Sequence, residues 1–241
     1  MQKILFFDIE TSPNCGWTWE KYEQDVISFE KQRELLSFAY KWQDGKIKVE
    51  SKRTNTERQL LLKLHKLFNE ADIIIGHNAQ DFDCKMANSF FVHDGLKPPS
   101  PYKIIDTLKI ARSKFRFNSN KLDDLGEYLG FGRKIETGGF KLWLQCIKGN
   151  RNAWRKMEKY NKQDVVLLAR VYEKLAPWVK TPELNINGLK CPFCSSTNVI
   201  KRGWALTRVF KRQRWVCKNC GRWSASNQKV KYNNEPYLKN V

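Results

Sequence analysis

The pattern of apolar and polar positions at the start of the chain predicts β-strands. The run from Lys3 to Thr11 is apolar until it reaches two acids, which suits a strand that enters a core. The runs Leu35 to Trp42 and Lys46 to Glu50 flank Asp44-Gly45, a dipeptide that favours the tight turn of a hairpin. We therefore expect three antiparallel strands, with a loop and a short helix over residues 12 to 31.

From Thr56 onward the pattern alternates between helical and strand periods. Thr56 is a favourable helix cap, and the leucines that follow it recur at the spacing of one helical face until about Glu70. Residues 72 to 76 are almost wholly apolar, as expected for a strand buried on both sides. The later elements expected are a helix from near Phe82, a strand over Tyr102 to Asp106, a short helix over Lys121 to Leu129 and a long helix over Asn152 to Trp178. This order indicates an α/β domain in which helices flank a mixed sheet, antiparallel in its first three strands and then parallel.

A change of composition then divides the chain. Pro177 and Pro182 end the long helix and begin a linker. Residues 188 to 241 contain twelve Lys and Arg but only one Glu. We expect a main domain over residues 1–180, a linker over 181–188 and a small basic module over 189–241.

The net charge favours a polyanionic partner. Lys and Arg outnumber Asp and Glu by 44 to 25, a formal charge of +19, which suits nucleic acid. A membrane surface is the alternative, but we find no apolar stretch near the ~20 residues that span a bilayer and no basic amphipathic helix. We see no signal-peptide pattern before the first strand, and four of the seven cysteines form two C-x-x-C pairs, as in metal sites of reducing compartments. We therefore expect a cytoplasmic protein.

Two acids with one residue between them end the first strand. Side chains alternate along a strand, so Asp8 and Glu10 share one face while Phe7 and Ile9 point to the other. Like charges held this close require a proton or a cation between them, and carboxylate oxygens favour Mg²⁺ or Mn²⁺. The strand therefore predicts a metal site. The alternative is that both acids are the solvated end of an edge strand.

Further motifs follow in order along residues 1 to 178. Tyr160 and Asp164 lie four residues apart on the long helix, so the phenol and the carboxylate share a face. With Phe-Asp-Ile-Glu-Thr, Asn-x-x-x-Phe-Asp and Tyr-x-x-x-Asp, the sequence resembles the tyrosine branch of the DEDD superfamily of 3′→5′ exonucleases. That branch includes proofreading domains of DNA polymerases and ribonuclease D-like enzymes. In the histidine branch, a His would stand five residues before the last Asp, where this chain has Lys159.

The resemblance implies an RNase H-like fold and a hydrolytic site that holds two Mg²⁺ or Mn²⁺ ions. By the resemblance, Asp8 would bridge the two ions, while Glu10 and Asp164 would complete the first. Asp83 would hold the second ion, through water. Tyr160 would orient the attacking water.

The resemblance also implies that Asn78 and Phe82 lie near the terminal nucleotide, although a cap for the following turn is an equally good interpretation of residues 77 and 78. Asp81 could be a ligand in place of Asp83, whose own position also suits a helix start. Tyr160 by itself could be a core aromatic. Further acids similar to family positions outside the metal site are interpreted as structural: Asp106, Asp123 and Asp124.

The C-terminal module contains the pattern of a structural zinc site. One C-x-x-C could be a redox pair, but two of them, 22 residues apart, match four thiolates around one Zn²⁺, and the module resembles a zinc ribbon. The ligands would be Cys191, Cys194, Cys217 and Cys220. Cations interleave with aromatic residues between the pairs, a composition that can bind phosphates and stack on bases, or can simply pack and solvate the ribbon. The residues expected to contact nucleic acid are Arg202, Trp204, Arg208, Lys211, Arg212 and Arg214.

These features predict a metal-dependent 3′→5′ exonuclease that releases nucleoside 5′-monophosphates from DNA or RNA 3′ ends, with single strands and DNA favoured. An association with proofreading, replication or repair stays open, and a proofreading role would require a separate polymerase chain. Endonuclease activity on a structured substrate stays open. The alternative function is a non-catalytic nucleic-acid-binding or polymerase-associated module with a degenerate nuclease fold.

Overall fold

The structure is a computed structural model that describes residues 3–22, 25–178, 190–206, 209–226 and 228–231. It divides into two compact units, Met1–Tyr172 and Glu173–Val241. The expected linker over residues 181–188 lies outside the described residues. Among the described residues, no helix is both long and apolar enough to cross a membrane.

The first unit is built on a five-stranded mixed sheet. Its strands are β1 (Ile4–Thr11), β4 (Leu35–Trp42), β5 (Lys48–Ser51), β6 (Ile73–Gly76) and β7 (Lys103–Asp106), in the order β5-β4-β1-β6-β7. The β1–β4 and β4–β5 pairs are antiparallel, whereas β1–β6 and β6–β7 are parallel. This arrangement confirms the expected α/β fold with an antiparallel start and a parallel continuation.

A separate hairpin replaces the short helix expected over residues 12 to 31. Strands β2 (Cys15–Trp17) and β3 (Ser28–Lys31) pair antiparallel to each other. At Gly16 an added Cβ would lie 2.7 Å from the Ser28 carbonyl oxygen, so only glycine allows this close approach of the two strands. The helix prediction for this segment was therefore wrong, because the backbone of Gly16 pairs with the distant strand β3 instead of continuing a local turn.

Helices cover the sheet. They are α1 (Glu57–Glu70), α2 (Asp83–His93), α3 (Thr107–Lys114), α4 (Leu122–Tyr128), α5 (Phe140–Ile147) and α6 (Arg151–Leu175), and a 3₁₀ turn follows at Ala176–Trp178. Thr56 and Gln59 form a reciprocal capping box at the start of α1, which confirms the cap. The sequence pattern does not predict α3 or α5, because both are eight residues long and have too few buried positions to establish a period.

The core of the first unit lies on both faces of β1 and its neighbours. Phe7 and Ile9 are buried in the larger cluster, where the Phe7 ring meets Phe68 of α1 edge-on at 5.0 Å between centroids. A second cluster lies beneath α5 and α6 and includes Trp154 and Met157. Burying each side chain of this size stabilises the fold by roughly 1.5–3 kcal/mol. Because Phe7 and Ile9 point into the larger cluster, the alternate residues of β1 face the opposite way.

The second unit is a small antiparallel sheet. It contains β8 (Val199–Leu206), β9 (Phe210–Cys217), β10 (Trp223–Ala225) and β11 (Val230–Lys231). β8 pairs along one edge of β9, while β10 and β11 pair with successive parts of its other edge. Among the described residues from 190 to 231, only Cys191 and Cys217 are buried. The sheet of this unit therefore has almost no apolar core of its own.

Candidate active site

Three carboxylates meet where β1 faces α6. Asp8 and Glu10 extend from β1, and Asp164 extends from the middle of α6 with 1% of its surface exposed. One oxygen from each acid lies within 4.8 Å of the other two. The period of the strand and the turn of the helix together create one compact group of acids.

These acids carry like charges that repel one another. Burial, followed by the charges of Asp83 and Asp164, raises the pKa of Asp8 well above its usual range. Burial and the charge of Asp164 raise the pKa of Glu10 to about 8. The Oδ1 atom of Asp164 is buried and has no hydrogen-bond partner among the described residues. A divalent cation fits this group, since it would neutralise the repulsion and provide the missing partner for Asp164 with the oxygen ligands that Mg²⁺ and Mn²⁺ prefer.

Asp83 lies beside the three acids but outside their 4.8 Å group. It is the first residue of α2, and its Oδ1 accepts a hydrogen bond of 3.2 Å from the backbone N–H of Ile9. That N–H is free because β6, the neighbour of β1, ends at Gly76 while β1 continues. Burial raises the pKa of Asp83 to about 7. The alternative ligand Asp81 is exposed and pairs with two surface lysines, Lys85 and Lys109.

The loop between β6 and α2 is held by Asp106. This buried carboxylate accepts hydrogen bonds from the backbone N–H groups of Asn78, at 2.9 Å, and Gln80, at 3.1 Å, and it also caps α3. Asn78 has a left-handed backbone with φ of 66°, a conformation that asparagine tolerates better than most residues. Burial lowers the pKa of His77 to about 4, so its ring is neutral. Asn78 and Phe82 therefore occupy a rigid loop that leads directly to Asp83.

Tyr160 lies one helical turn before Asp164, with its phenol in the same group. Burial and the charge of Asp164 raise its pKa far above the ordinary value, so the phenol keeps its proton. The ring meets Trp143 of α5 edge-on at 6.2 Å between centroids. The structure thus brings together Asp8, Glu10, Asp164 and Tyr160, with Asp83 at the side.

A lysine that the sequence pattern does not predict also belongs to this group. The Nζ atom of Lys134 donates a 2.7 Å hydrogen bond to Oδ2 of Asp164 and lies 3.4 Å from the phenol oxygen of Tyr160. Burial lowers the pKa of Lys134, but the charges of Asp164 and Asp8 outweigh this effect and the pKa is raised. Asp123 fixes the lysine by accepting a hydrogen bond from its backbone N–H. In a chain with 44 Lys and Arg, nothing in the sequence distinguishes this loop residue.

Two further residues orient the acids. Asn161, which is fully buried, donates from Nδ2 to Oδ2 of Asp8 at 2.7 Å, and its own Oδ1 accepts from Ser37 at 3.1 Å. Trp143 forms a hydrogen bond with Glu10 that lowers the pKa of that acid against the larger effect of burial. Asn161 follows Tyr160 directly, and its place on the inward face of α6 is the signal that could have identified it.

The four cysteines of the C-terminal pairs form a second group of possible ligands. Their sulfur atoms all lie within 4.8 Å of one another, with Cys191 3.7 Å from Cys220 and Cys194 3.6 Å from Cys217. These separations are too long for disulfides, which need about 2.05 Å. They suit the ~3.8 Å edge of a tetrahedron with ~2.3 Å metal–sulfur bonds. The group fits a Cys₄ metal site.

The ribbon strands carry cations against aromatic rings on both faces. On one face the Nζ of Lys211 lies 4.9 Å from the ring centroid of Trp204. On the other face the guanidinium of Arg214 lies 5.6 Å from that of Trp223. Residues 190 to 231 contain eleven Lys and Arg and no Asp or Glu. Of the expected nucleic-acid contacts, the sheet contains Arg202, Trp204, Lys211, Arg212 and Arg214, whereas Arg208 lies outside the described residues.

Comparison with known proteins agrees with the fold. The family model of the RNase H superfamily matches residues 5–176. The chain belongs to the RNase H superfamily. Among curated proteins, no significant match was found.

The fold of this RNase H superfamily chain is similar to a region of a solved polymerase. That protein is the family B DNA polymerase from the hyperthermophilic archaeon Pyrobaculum calidifontis, with a TM-score of 0.57 and 18% identity. The match covers 74% of this chain and 25% of the polymerase, so the chain spans about a quarter of the polymerase's length. At this identity the likeness concerns the fold alone. Family membership and the acid group together support a nuclease.

Proposed function

We propose that the protein is a metal-dependent 3′→5′ exonuclease of the tyrosine branch, which removes nucleoside 5′-monophosphates from nucleic-acid 3′ ends. The observation that carries the proposal is the group of Asp8, Glu10 and Asp164 within 4.8 Å of one another. The set is completed by Tyr160, one helical turn before Asp164, and by Asp83 of α2, which accepts a hydrogen bond from the edge of β1. Acids on three elements rarely gather with raised pKa values unless a cation or a reaction requires them.

The acids would hold two Mg²⁺ or Mn²⁺ ions. Asp8, Glu10 and Asp164 would form the first site, and Asp83 would serve the second together with Asp8. When bound, the ions would supply Lewis-acid polarisation of the phosphodiester and charge stabilisation of the leaving oxygen. The unpartnered Oδ1 of Asp164 supports this assignment.

The protein's own residues would position the water and the scissile phosphate. In hydrolysis, a bond forms between the water oxygen and phosphorus, and the bond from phosphorus to O3′ of the preceding nucleotide breaks. One water proton ends on that O3′. Because its pKa is raised, the Tyr160 phenol would act as a hydrogen-bonding group that orients the water and not as a base. Lys134 would add positive charge beside the phosphate, and Asn161 would keep Asp8 in place.

We further propose that DNA is favoured over RNA and that single-stranded 3′ ends are the substrate. The support is that the matched protein is a DNA polymerase by name. A separate polymerase chain, in replication or repair, would be the partner in a proofreading role. The net charge of +19 supports a nucleic-acid substrate of either kind.

The C-terminal unit would bind one structural Zn²⁺ through its four cysteines and grip the substrate with its cations and rings. The sulfur separations and the near absence of a core support the zinc assignment. Thiolate ligands need a reducing compartment, which supports the expected cytoplasmic location. Exposed rings flanked by cations can stack on bases while neutralising phosphates.

The test is digestion of single-stranded DNA labelled at either end, with Mg²⁺ or Mn²⁺. The 3′-labelled strand should release labelled mononucleotide at once, and the 5′-labelled strand should shorten stepwise. Asp8→Asn and Asp164→Asn should each reduce the rate by more than ~100-fold, which is the upper range for loss of a residue that only supports a metal ligand. The matched control is Asp81→Asn, a surface acid two residues before Asp83.

The control variant should retain activity within about twofold of the parent protein. Internal cleavage of both strands at early times would contradict the 3′→5′ direction. Full activity of Asp8→Asn would contradict the site itself.

One observation favours a second candidate function, a non-catalytic nucleic-acid-binding module. The ammonium of Lys134 already sits 2.7 Å from Asp164, so a cation of the chain could replace the metal. Calorimetric titration with Mn²⁺ separates the two candidates. The nuclease should bind Mn²⁺, and Lys134→Gln should keep binding while losing about tenfold in turnover. Arg133→Gln, which removes a neighbouring surface cation, is the control. Mn²⁺ binding that appears only in Lys134→Gln would support the second candidate.

A further inference from the structure

The segment between β3 and β4 is fixed to the end of the strand that carries Asp8 and Glu10. The backbone N–H of Arg33 donates to Oδ1 of Asn14 at 2.8 Å. Ser12 and Glu34 exchange two more hydrogen bonds of 2.8 Å, and Ser12 is buried. These bonds hold the backbone of Arg33 close to the last residues of β1, a few residues after Glu10. The position of Arg33 is therefore set by the same strand that positions the acids.

The side chain of Arg33 reaches from this segment to the ring of Phe82. Its guanidinium carbon lies 5.9 Å from the ring centroid, at the outer limit of a cation–π contact. Phe82 comes directly before Asp83 and has 36% of its surface exposed. Arg33 is thus a cation beside the residue that comes directly before Asp83, where α2 begins.

The guanidinium of Arg33 lacks a polar partner in the part of the chain that the structure describes. Its Nε atom is buried without a hydrogen bond. The neighbouring cations are all paired, because Lys31 and Lys52 contact Glu34 and Arg58 contacts Asp94. A buried guanidinium donor without an acceptor is unfavourable unless a ligand supplies one. Arg33 also borders a groove of ≈ 900 Å³, whose other charged lining residues include Arg58 and the acids Glu30, Glu34, Glu57 and Asp94.

We propose that Arg33 binds a backbone phosphate of the substrate strand near its 3′ end, while the exposed side of Phe82 contacts a base. This inference rests on the proposed exonuclease function and adds a residue that belongs to none of its motifs. The planar fork of arginine matches two phosphate oxygens, and it keeps its charge at any working pH. A guanidinium held beside Phe82 would add an attractive charge for a phosphate that follows the terminal nucleotide.

The test compares Arg33→Gln with Arg58→Gln, which removes the same charge from the same groove but from an ion-paired side chain. Both variants are made in an Asp8→Asn background that prevents turnover. Binding of a fluorescent single-stranded DNA is then measured over a range of salt concentrations. Arg33→Gln should weaken binding about tenfold and reduce the slope of log K against log salt by ~0.7, the value for one lost phosphate contact on a single strand. Arg58→Gln should match the parent slope.

A second measurement identifies the phosphate and does not depend on the stability of the variants. Oligonucleotides with one neutral methylphosphonate linkage at each of the last positions are compared. At one position the neutral linkage should weaken DNA binding by the parent protein about tenfold and leave DNA binding by Arg33→Gln unchanged. Arg33→Lys should keep the salt slope but lose part of the affinity, because the fork is lost. If every linkage costs the parent and Arg33→Gln equally, Arg33 does not bind phosphate. If the unmutated protein neither binds nor degrades the strand, the proposed function itself fails.

Discussion

The acid group and the cysteine group both suit metal ions, but the protein builds them in opposite ways. The acids come from β1, α2 and α6 and stand on a large apolar core, so the fold brings them together against their own repulsion. The cysteines come from two local turns in a unit whose described residues bury almost nothing else. The fold alone therefore assembles the first site, whereas we expect the proposed Zn²⁺ to hold the second site together.

The largest expected effect therefore falls on the ribbon. Cys217→Ser should unfold β8 to β11, because structural zinc contributes about 10–16 kcal/mol in small zinc modules. Hydrogen exchange should show lost protection in β9 and unchanged protection in β1. Cys15→Ser, which changes an exposed thiol in β2, is the matched control and should alter neither. A protected β9 in Cys217→Ser would mean that the ribbon holds together without its metal.

A smaller effect should appear in the acid site when divalent ions are absent. Burial and Asp164 raise the pKa of Glu10 from 4.5 to about 8. The folded state therefore holds more protons than the unfolded state between about pH 4 and 8, so its stability should fall as the pH rises through that range. Thermal melts in Mg²⁺-free buffer, followed by exchange at β1, should show this decline.

Two further measurements test whether repulsion between the acids causes this decline in stability. Mg²⁺ should reduce the decline because it binds the charged acids. Asp8→Asn should reduce it as well and should stabilise the ion-free protein above pH 7, since Asn161 can still hydrogen-bond to the new side chain. Equal stability of the ion-free protein at pH 5 and pH 8 would argue against repulsion between the acids.

The smallest effect concerns Tyr160. Its replacement should slow hydrolysis and leave the folding of both units unchanged. Tyr160→Phe should lower kcat by roughly 10–100-fold while leaving KM within about twofold, as expected when only the water loses its positioning partner. Steady-state kinetics on single-stranded DNA would measure both quantities. Tyr128→Phe, which alters an exposed phenol on α4, is the control. A change in KM alone would assign Tyr160 to substrate binding.

The parts of the molecule that sequence predicts best are those in which one short segment determines its own geometry. The alternation along β1 separates Asp8 from Phe7, four residues on α6 bring Tyr160 near Asp164, and Thr56 begins α1. In each case the periodicity of a strand or helix, or a local cap, is sufficient. The grouping of Asp8 with Asp164 followed only from the resemblance, because no local pattern joins them.

The parts that sequence did not predict depend on where distant segments meet. Lys134 donates its backbone N–H to Asp123 and its Nζ to Asp164, two acids that lie 11 and 30 residues away along the chain. The strands of the β2–β3 hairpin pair across an intervening segment that has no helical period. Only Leu142 and Cys146 of α5 are buried, too few to reveal a helical period. Asp106 was expected to be structural, and it holds the loop before Asp83. Such residues can be identified only from the three-dimensional structure.

The different lengths of β1 and β6 determine where Asp83 lies along β1. β6 ends at Gly76, where an added Cβ would lie 2.4 Å from that of Ala79, so only glycine lets the following turn pack this closely against the strand. The turn places Asp83 beside the N–H of Ile9, between the two acids of β1. Extending β6 by one residue would shift the position of Asp83 by about 3.3 Å along β1. A glycine without any reactive group thus sets the spacing on which the chemistry of its neighbours depends.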